Sequence, residues 1–292
     1  MEVSKVFTKV QTLNNGLTIP QVGFGCYQVK ESDPFYWAVK YGYRHLDSAA
    51  FYQNEAQVGN EARRAMSEFG LKREDIFITS KIFNDHMGYE LTKKQVEVSL
   101  KNFDLGYIDM MLIHFPGTAG LPKDDPMHLQ NRKESWKALE EYVDSGLIKS
   151  IGVSNYRPHH IEELVEYARI KPVVNQFELH PLYVEYDTIE TCRKHNILVQ
   201  SYSPFAQFKP TITENEVLKG ISVKYNLDIA RVILLWHIAN GFNVLPKSAT
   251  EERIKSNIEL EGLALSEEDL AQINELGQNN RFKVCWDPKD YA

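Results

Sequence analysis
The sequence predicts a (β/α)8 barrel, and three observations carry that prediction. From Gln21 onward, short apolar runs of strand length alternate with amphipathic stretches of helix length, the pattern of parallel α/β folds. Eight such runs can be counted: Gln21–Gly25, His45–Ser48, Ile76–Lys81, Ile108–His114, Ile148–Ser154, Val173–Leu179, Leu198–Pro204 and Asn243–Ser248. A chain of 292 residues stands somewhat above the roughly 250 typical of a TIM barrel, and no Ser/Gly/Pro-rich linker divides it, so residues 1–292 read as one domain.

Ahead of the first run, Val10 to Val22 alternates around Asn15-Gly16, with Thr12 and Leu13 before the turn and Leu17 and Ile19 after it. This is a β-hairpin signal, and the hairpin is expected to cover the bottom of the barrel. Behind the second run, Asn54 opens a stretch in which Val58, Ala62, Ala65, Met66 and Phe69 recur at helical spacing, with Gly70 placed to end it. Later helix starts are expected at Thr92, Asn131, Asp187 and Thr213, each a polar cap with Glu or Gln three residues on. Val96, Ser99, Leu100 and Phe103 form one stripe; Ile161, Leu164, Val165 and Ala168 form another, and Gly146 suits a helix end. Ser266–Leu276 reads as an extra helix before an irregular C-terminal tail.

Composition narrows the partners. With 40 acidic and 33 basic residues the net charge is −7, which gives no reason to expect nucleic acid or an anionic membrane, although local basic pockets remain open. Cys26, Cys192 and Cys285 are an odd number without CxxC spacing, against a disulfide framework or a zinc site and in keeping with a reducing compartment. Met1–Val10 lacks the apolar core of a secretory leader, and no apolar run reaches the roughly 18 residues of a membrane span, so a cytoplasmic protein is expected.

If the strand register holds, functional residues belong just past the strand ends, where a barrel presents its chemistry. Asp47 closes the second run and Tyr52 follows it in the connection to the next helix; Lys81 closes the third run and His114 the fourth. A lone strand-end lysine is usually solvated, and a lone histidine is usually a satisfied core residue. Four such groups on consecutive barrel elements form a constellation, because polar residues closing apolar strands cost several kcal/mol if buried unpaired. Further along, Ser154-Asn155, Gln176, Tyr202-Ser203 and Lys247-Ser248 occupy corresponding strand ends. Gly23-Phe24-Gly25 begins as G-x-G but lacks the third glycine and leads into no helix start, so there is no dinucleotide fingerprint of the doubly wound kind.

These residues stand in segments that resemble the aldo-keto reductase family over essentially the whole chain. GYRHLDSAAFYQNEAQVG, LGYIDMMLIHFP and VLPKSATEERIKSN match the family's three signatures, and GVSNY, NQFELHP and SYSP match its intervening cofactor segments. The family fold is a (β/α)8 barrel with an N-terminal hairpin, in agreement with the pattern. The resemblance implies NADPH-dependent reduction of a small carbonyl substrate by a monomeric enzyme, in which a nicotinamide cofactor delivers hydride to carbon while the oxygen is protonated. Tyr52 would donate the proton, Lys81 would lower its pKa, Asp47 would hold Lys81, and His114 would orient the carbonyl. By the same resemblance Ser154, Asn155 and Gln176 would hydrogen-bond the carboxamide, Tyr202 would stack on the nicotinamide, and Ser203 would lie beside it. Lys247, Ser248, Arg253 and Asn257 would grip the adenosine end, two cations suiting the phosphate that distinguishes NADPH from NADH.

Tyr27, Phe51, Phe83 and Phe115 are the expected substrate pocket, with Cys285 of the tail either lining it or standing as a buried, inert thiol; many relatives carry Trp where this chain has Tyr27, Phe83 and Phe115. The connection Gln207–Pro210 is short beside that of many relatives, which implies faster exchange of the cofactor. A non-catalytic sensor or structural protein on the same barrel would be free to lose a member of the tetrad, and none is lost. A metal-dependent hydrolase fits poorly: His159 and His160 are adjacent and expected on different helix faces, and no HExxH or carboxylate ligand set appears, so no metal is expected.

Overall fold
The computed structural model describes residues 6–292; residues 1–5, on which part of the leader reading falls, lie outside the described residues. A hairpin of β1 (Val10–Thr12) and β2 (Thr18–Pro20) comes first, in the register Val10 to Pro20 and Thr12 to Thr18. Leu13 N–H donates to Leu17 O at 2.8 Å across the turn, and Gly16 takes its positive φ of 85° without the clash a Cβ would bring.

Eight parallel strands follow: β3 (Phe24–Gly25), β4 (His45–Asp47), β5 (Phe77–Ile82), β6 (Ile108–Ile113), β7 (Ile148–Ser154), β8 (Val174–Glu178), β9 (Leu198–Tyr202) and β10 (Asn243–Val244), paired in chain order. The ring closes between the last strand and the first. Val244 bridges Val22 in parallel, and Gly23 N–H donates to Val244 O at 2.9 Å. Every strand lies within the predicted run, or within one residue of it, because parallel strands buried on both faces read as short continuous apolar runs. On the outer face Leu46, Ile78, Met111, Ile151 and Val199 join the helices in the main core.

The helices are α1 (Asp33–Lys40), α2 (Glu55–Phe69), α3 (Tyr89–Phe103), α4 (Met127–Asp144), α5 (Pro158–Tyr167), α6 (Tyr186–Lys194), α7 (Pro210–Thr213), α8 (Glu216–Tyr225), α9 (Ile229–Ala239), α10 (Glu251–Ile258) and α11 (Glu267–Asn279). Asn54, Gly70 and Gly146 fall at helix ends as expected, and α11 is the extra helix, its cap Ser266 accepting from Asp269 N–H at 3.2 Å.

The four expected capping boxes are wrong. Thr92, Asn131 and Asp187 lie inside α3, α4 and α6, and Thr213 ends α7. Thr92 faces inward and donates to His86 O at 3.0 Å, while Gly88 at φ 101° starts the helix. Polar residues three apart from Glu or Gln also occur along helix faces, so the pattern alone does not locate a start. Three helices, α7, α8 and α9, rather than one, fill the connection before β10.

The hairpin plugs one end of the barrel. Leu13 and Ile19 pack with Phe77, Met110, Leu112, Val173 and Val174 in a separate apolar cluster. The opposite, carboxyl end of the strands is left for polar side chains.

Candidate active site
Asp47 is the last residue of β4, and a single 3-10 turn at Ala50–Tyr52 follows it. Asn54 pins this connection: it accepts from Ser48 Oγ at 2.6 Å and donates to Cys26 O at 2.9 Å. Lys81, fully buried on the adjacent strand, spends its ammonium on three oxygens, Asp47 Oδ1 at 2.6 Å, Ser48 O at 2.8 Å and the Tyr52 hydroxyl at 3.4 Å. His114, one residue beyond β6, presents its ring edge-on to Tyr52 with centroids 5.8 Å apart. The three residues named from strand ends and Tyr52 from the connection therefore meet at one place.

A line of buried amides supports them. Gln176 Nε2 donates to Asp47 Oδ2 at 2.8 Å and to Gln200 Oε1 at 2.6 Å; Gln200 in turn donates to Asn243 Oδ1 at 2.8 Å. Both Asp47 oxygens accept, which suits the carboxylate form. Burial nevertheless raises the Asp47 carboxyl above its ordinary pKa, against the opposing pull of Lys81. Burial, followed by the charge of Asp47, pushes the Tyr52 phenol well above its ordinary value. The expected lowering by Lys81 is thus outweighed here, for a physical reason: the ammonium lies closer to Asp47 than to the phenol, and desolvation disfavours the phenolate. Burial and the charge of Lys81 hold His114 well below the usual imidazole value, so the ring is neutral near pH 7. His114 Nδ1 is buried without a hydrogen-bond partner among the described residues.

From this centre a cleft of about 1150 Å³ runs over the barrel mouth. Its volume exceeds the roughly 300–1,000 Å³ of a single small-ligand site and leaves room for a dinucleotide and a substrate together. At one end Tyr27, Phe51, Phe83, Phe115 and Cys285 line the cleft, and so does Trp286, which the sequence did not point to. Phe51 and Phe83 stack at 4.2 Å, and the Trp286 ring lies 6.2 Å from the first and 6.5 Å from the second. Phe115 is mostly covered by Tyr291, edge-on at 5.1 Å, so only part of it reaches the cleft. Burial, with Glu178 adding to it, pushes the Cys285 thiol up to about 11.

At the other end Lys247, Ser248, Arg253 and Asn257 line the cleft, around the start of α10. Among the described residues neither Lys247 nor Arg253 has an acidic partner within ion-pair distance. Asn155, Tyr202 and Ser203 line the same cleft, with Ser203 Oγ 3.4 Å from Cys285 Sγ. Asn155, at φ 64°, donates to His114 O at 2.9 Å and accepts from the Tyr202 hydroxyl at 2.7 Å. Ser154 and Gln176 are fully buried: Ser154 Oγ donates to Gln176 O at 2.8 Å, and Gln176 Nε2 donates to Asp47 and Gln200. Phe208, Asp228 and Ser256 also line the cleft and were not anticipated; they sit on connections and helix turns that carry no periodic signal.

His159 and His160, expected to diverge, place their rings 3.8 Å apart against Tyr291 O. No group of His, Cys, Asp or Glu suited to a metal ion occurs among the described residues.

A barrel with a buried Asp-Lys-Tyr cluster and a histidine at the carboxyl ends of its strands, opening on a long cleft with unpaired cations, defines an oxidoreductase-type site built for a charged dinucleotide. Sequence comparison agrees: the chain belongs to the Aldo/keto reductase family, whose pattern matches residues 36–278. It is 39% identical to the glyoxal reductase of Bacillus subtilis, covering 92% of this chain and 93% of that one. Identity to the NADPH-dependent aldose reductase of Saccharomyces cerevisiae is 36%, over 94% of this chain and 95% of the yeast protein. Among solved structures, the Bombyx mori aldo-keto reductase in complex with NADP superposes with a TM-score of 0.88 at 33% identity, over 98% of each chain.

Proposed function
We propose that this enzyme reduces uncharged aldehydes and ketones to alcohols with NADPH, and that Tyr52 protonates the carbonyl oxygen. The Lys81 ammonium, shared among Asp47, Ser48 O and the Tyr52 hydroxyl at the floor of the cleft, carries the reading. NADPH fits the residues present: Lys247 and Arg253 supply two unpaired cations for its phosphates, and Asn155 and Tyr202 line the same cleft as Tyr52. The yeast relative's dependence on NADPH and the NADP complex of the silkworm protein support that choice. When bound, the cofactor supplies hydride to the carbonyl carbon.

The chain's own residues do the rest. Tyr52 holds its proton until negative charge develops on the substrate oxygen, then passes it across. Lys81, already beside the phenol oxygen, stabilises the phenolate left behind, and Asp47 keeps the ammonium in place with Gln176 behind it. The neutral His114 ring faces the same oxygen position and orients the carbonyl without adding charge.

The substrate end excludes charge. Around the tetrad the lining is aromatic and thiol, and no Lys or Arg among the described residues faces that end; Lys81 is beneath the floor and matched by Asp47. Benzaldehyde and pyruvate separate the possibilities. Consumption of NADPH with kcat/KM at least about tenfold higher for benzaldehyde is expected, since a 2-oxo acid would bring an unpaired carboxylate into an apolar pocket. Equal turnover of the two would overturn the uncharged-substrate reading.

A further inference from the structure
The segment after α11 has no regular structure, yet one buried carboxylate holds it in place. Glu178, fully buried at the end of β8, receives four donors: His180 Nε2 at 3.0 Å and Val284 N–H at 2.7 Å on one oxygen, Lys283 Nζ at 3.2 Å and Cys285 N–H at 2.8 Å on the other. His180 Nδ1 accepts from Leu182 N–H at 3.3 Å, so Nε2 carries the hydrogen and a neutral ring suffices. On either side of this clasp, Phe282 N–H donates to Leu182 O at 3.0 Å and Arg157 pairs with Asp287 at 2.7 Å. Between Cys285 and Asp287 stands Trp286, 64% exposed and held by none of these bonds, with its ring over the Phe51–Phe83 stack.

We propose that Glu178 is a positioning residue for substrate size: it fixes the tail backbone so that Trp286 walls the carbonyl pocket, favouring substrates long enough to reach that wall. Three observations carry this. Glu178 lies two residues beyond Gln176 on the same strand face, so one rigid strand sets both the tail and the partner of Asp47. Two of its four donors are main-chain N–H groups flanking Trp286 on its N-terminal side, which fixes where that side chain leaves the tail. The carboxylate also persists through any working pH: burial alone would raise it, but the His180 bond, Lys283 and the Val284 N–H bring it down to about 2.

The inference rests on the reductase reading, and two aldehydes of different length keep the two distinguishable. Wild-type enzyme is assayed by NADPH consumption with propanal and with naphthaldehyde; turnover of neither would remove the reductase reading itself. In Glu178→Gln, two donors replace an acceptor facing N–H groups, and KM for naphthaldehyde is expected to rise about tenfold, the scale of one lost apolar contact. With propanal kcat/KM is expected to stay within about twofold, because Glu178 acts only through the tail. Trp286→Ala is expected to raise KM for naphthaldehyde to the same extent, and the double variant to show no further loss, the mark of two residues acting through one contact. Should Glu178→Gln not fold, Lys283→Met loosens the same clasp from the solvent side and is expected to shift the ratio in the same direction. Equal loss on both aldehydes, or additive effects of Glu178→Gln and Trp286→Ala, would show a general structural role and overturn the proposal.

Discussion

Strand β5 enters the barrel at Phe77 and leaves it at Lys81, and β8 runs likewise from Val174 to Gln176 and Glu178. At the hairpin end the inward residues Phe77, Met110, Leu112 and Val174 close on Leu13 and Ile19 in a dry cluster. At the other end the same inward face carries Lys81, Gln176 and Glu178, each buried and each satisfied by named partners. The named residues are buried at both ends, so burial does not separate them. What differs is the kind of contact: dispersion and exclusion of water below, directed charge and hydrogen bonding above. Removing a side chain should therefore cost stability at one end and chemistry at the other.

Lys81→Met should give the largest effect. The phenolate loses its cation and Asp47 is left as an unpaired buried carboxylate, so kcat/KM for an aldehyde is expected to fall by about 10³-fold or more. Steady-state NADPH consumption measures this, and a loss under tenfold would mean that Lys81 serves packing alone. Met110→Ala, on the inner face of the neighbouring strand, should do the reverse. Unfolding free energy is expected to drop by about 2–5 kcal/mol in a urea titration, with kcat within about twofold of wild type. A collapse of kcat there would erase the contrast between the two ends.

Smaller effects sharpen the boundary of the site. Lys247→Met should weaken NADPH by about tenfold in Kd, measured by fluorescence titration, and change NADH little, because one charge-assisted phosphate contact is lost. Least of all should the rate respond to pH. Tyr52 is raised, so it keeps its proton as pH climbs to its ordinary value, and His114 is lowered, so it stays neutral as pH falls through its own. From about pH 6 to 9 kcat/KM should therefore vary by less than about twofold. A steep acid-side loss near pH 6.5, the ordinary histidine value, would show that His114 titrates in the working range.

How much of this was legible in the sequence follows from the same contrast. Strands announce themselves by alternation, and their ends place Asp47, Lys81 and His114 without further information, because a parallel barrel puts successive strand ends side by side. Tyr52 required the connection as well, and it was found because it lies five residues past Asp47 at a strand-to-helix junction. Glu178 and Trp286 were not found. A glutamate ending an apolar strand has no mark to distinguish it from a solvated strand end, and its partner Lys283 lies 105 residues away. The tail has neither period nor cap, so nothing local shows that it folds back over the mouth. Helix starts failed for the opposite reason: the capping pattern is short enough to recur inside helices, as at Thr92 and Asn131. The hydrogen-bond partners of Ser154 and Gln176 were likewise out of reach, since strand register predicts which face a side chain takes but not which of two polar neighbours it bonds.

Tyr52→Phe tests the central claim most directly, because it removes one oxygen and leaves the ring that packs against Tyr27 at 4.9 Å and His114 at 5.8 Å. The variant should bind NADPH with a Kd within about twofold of wild type and lose at least about 10²–10⁴-fold in kcat with benzaldehyde, the range expected of a lost general acid. Undiminished turnover in a variant that still binds NADPH would contradict the assignment of Tyr52 as the proton donor and, with it, the role given to the Lys81–Asp47 pair.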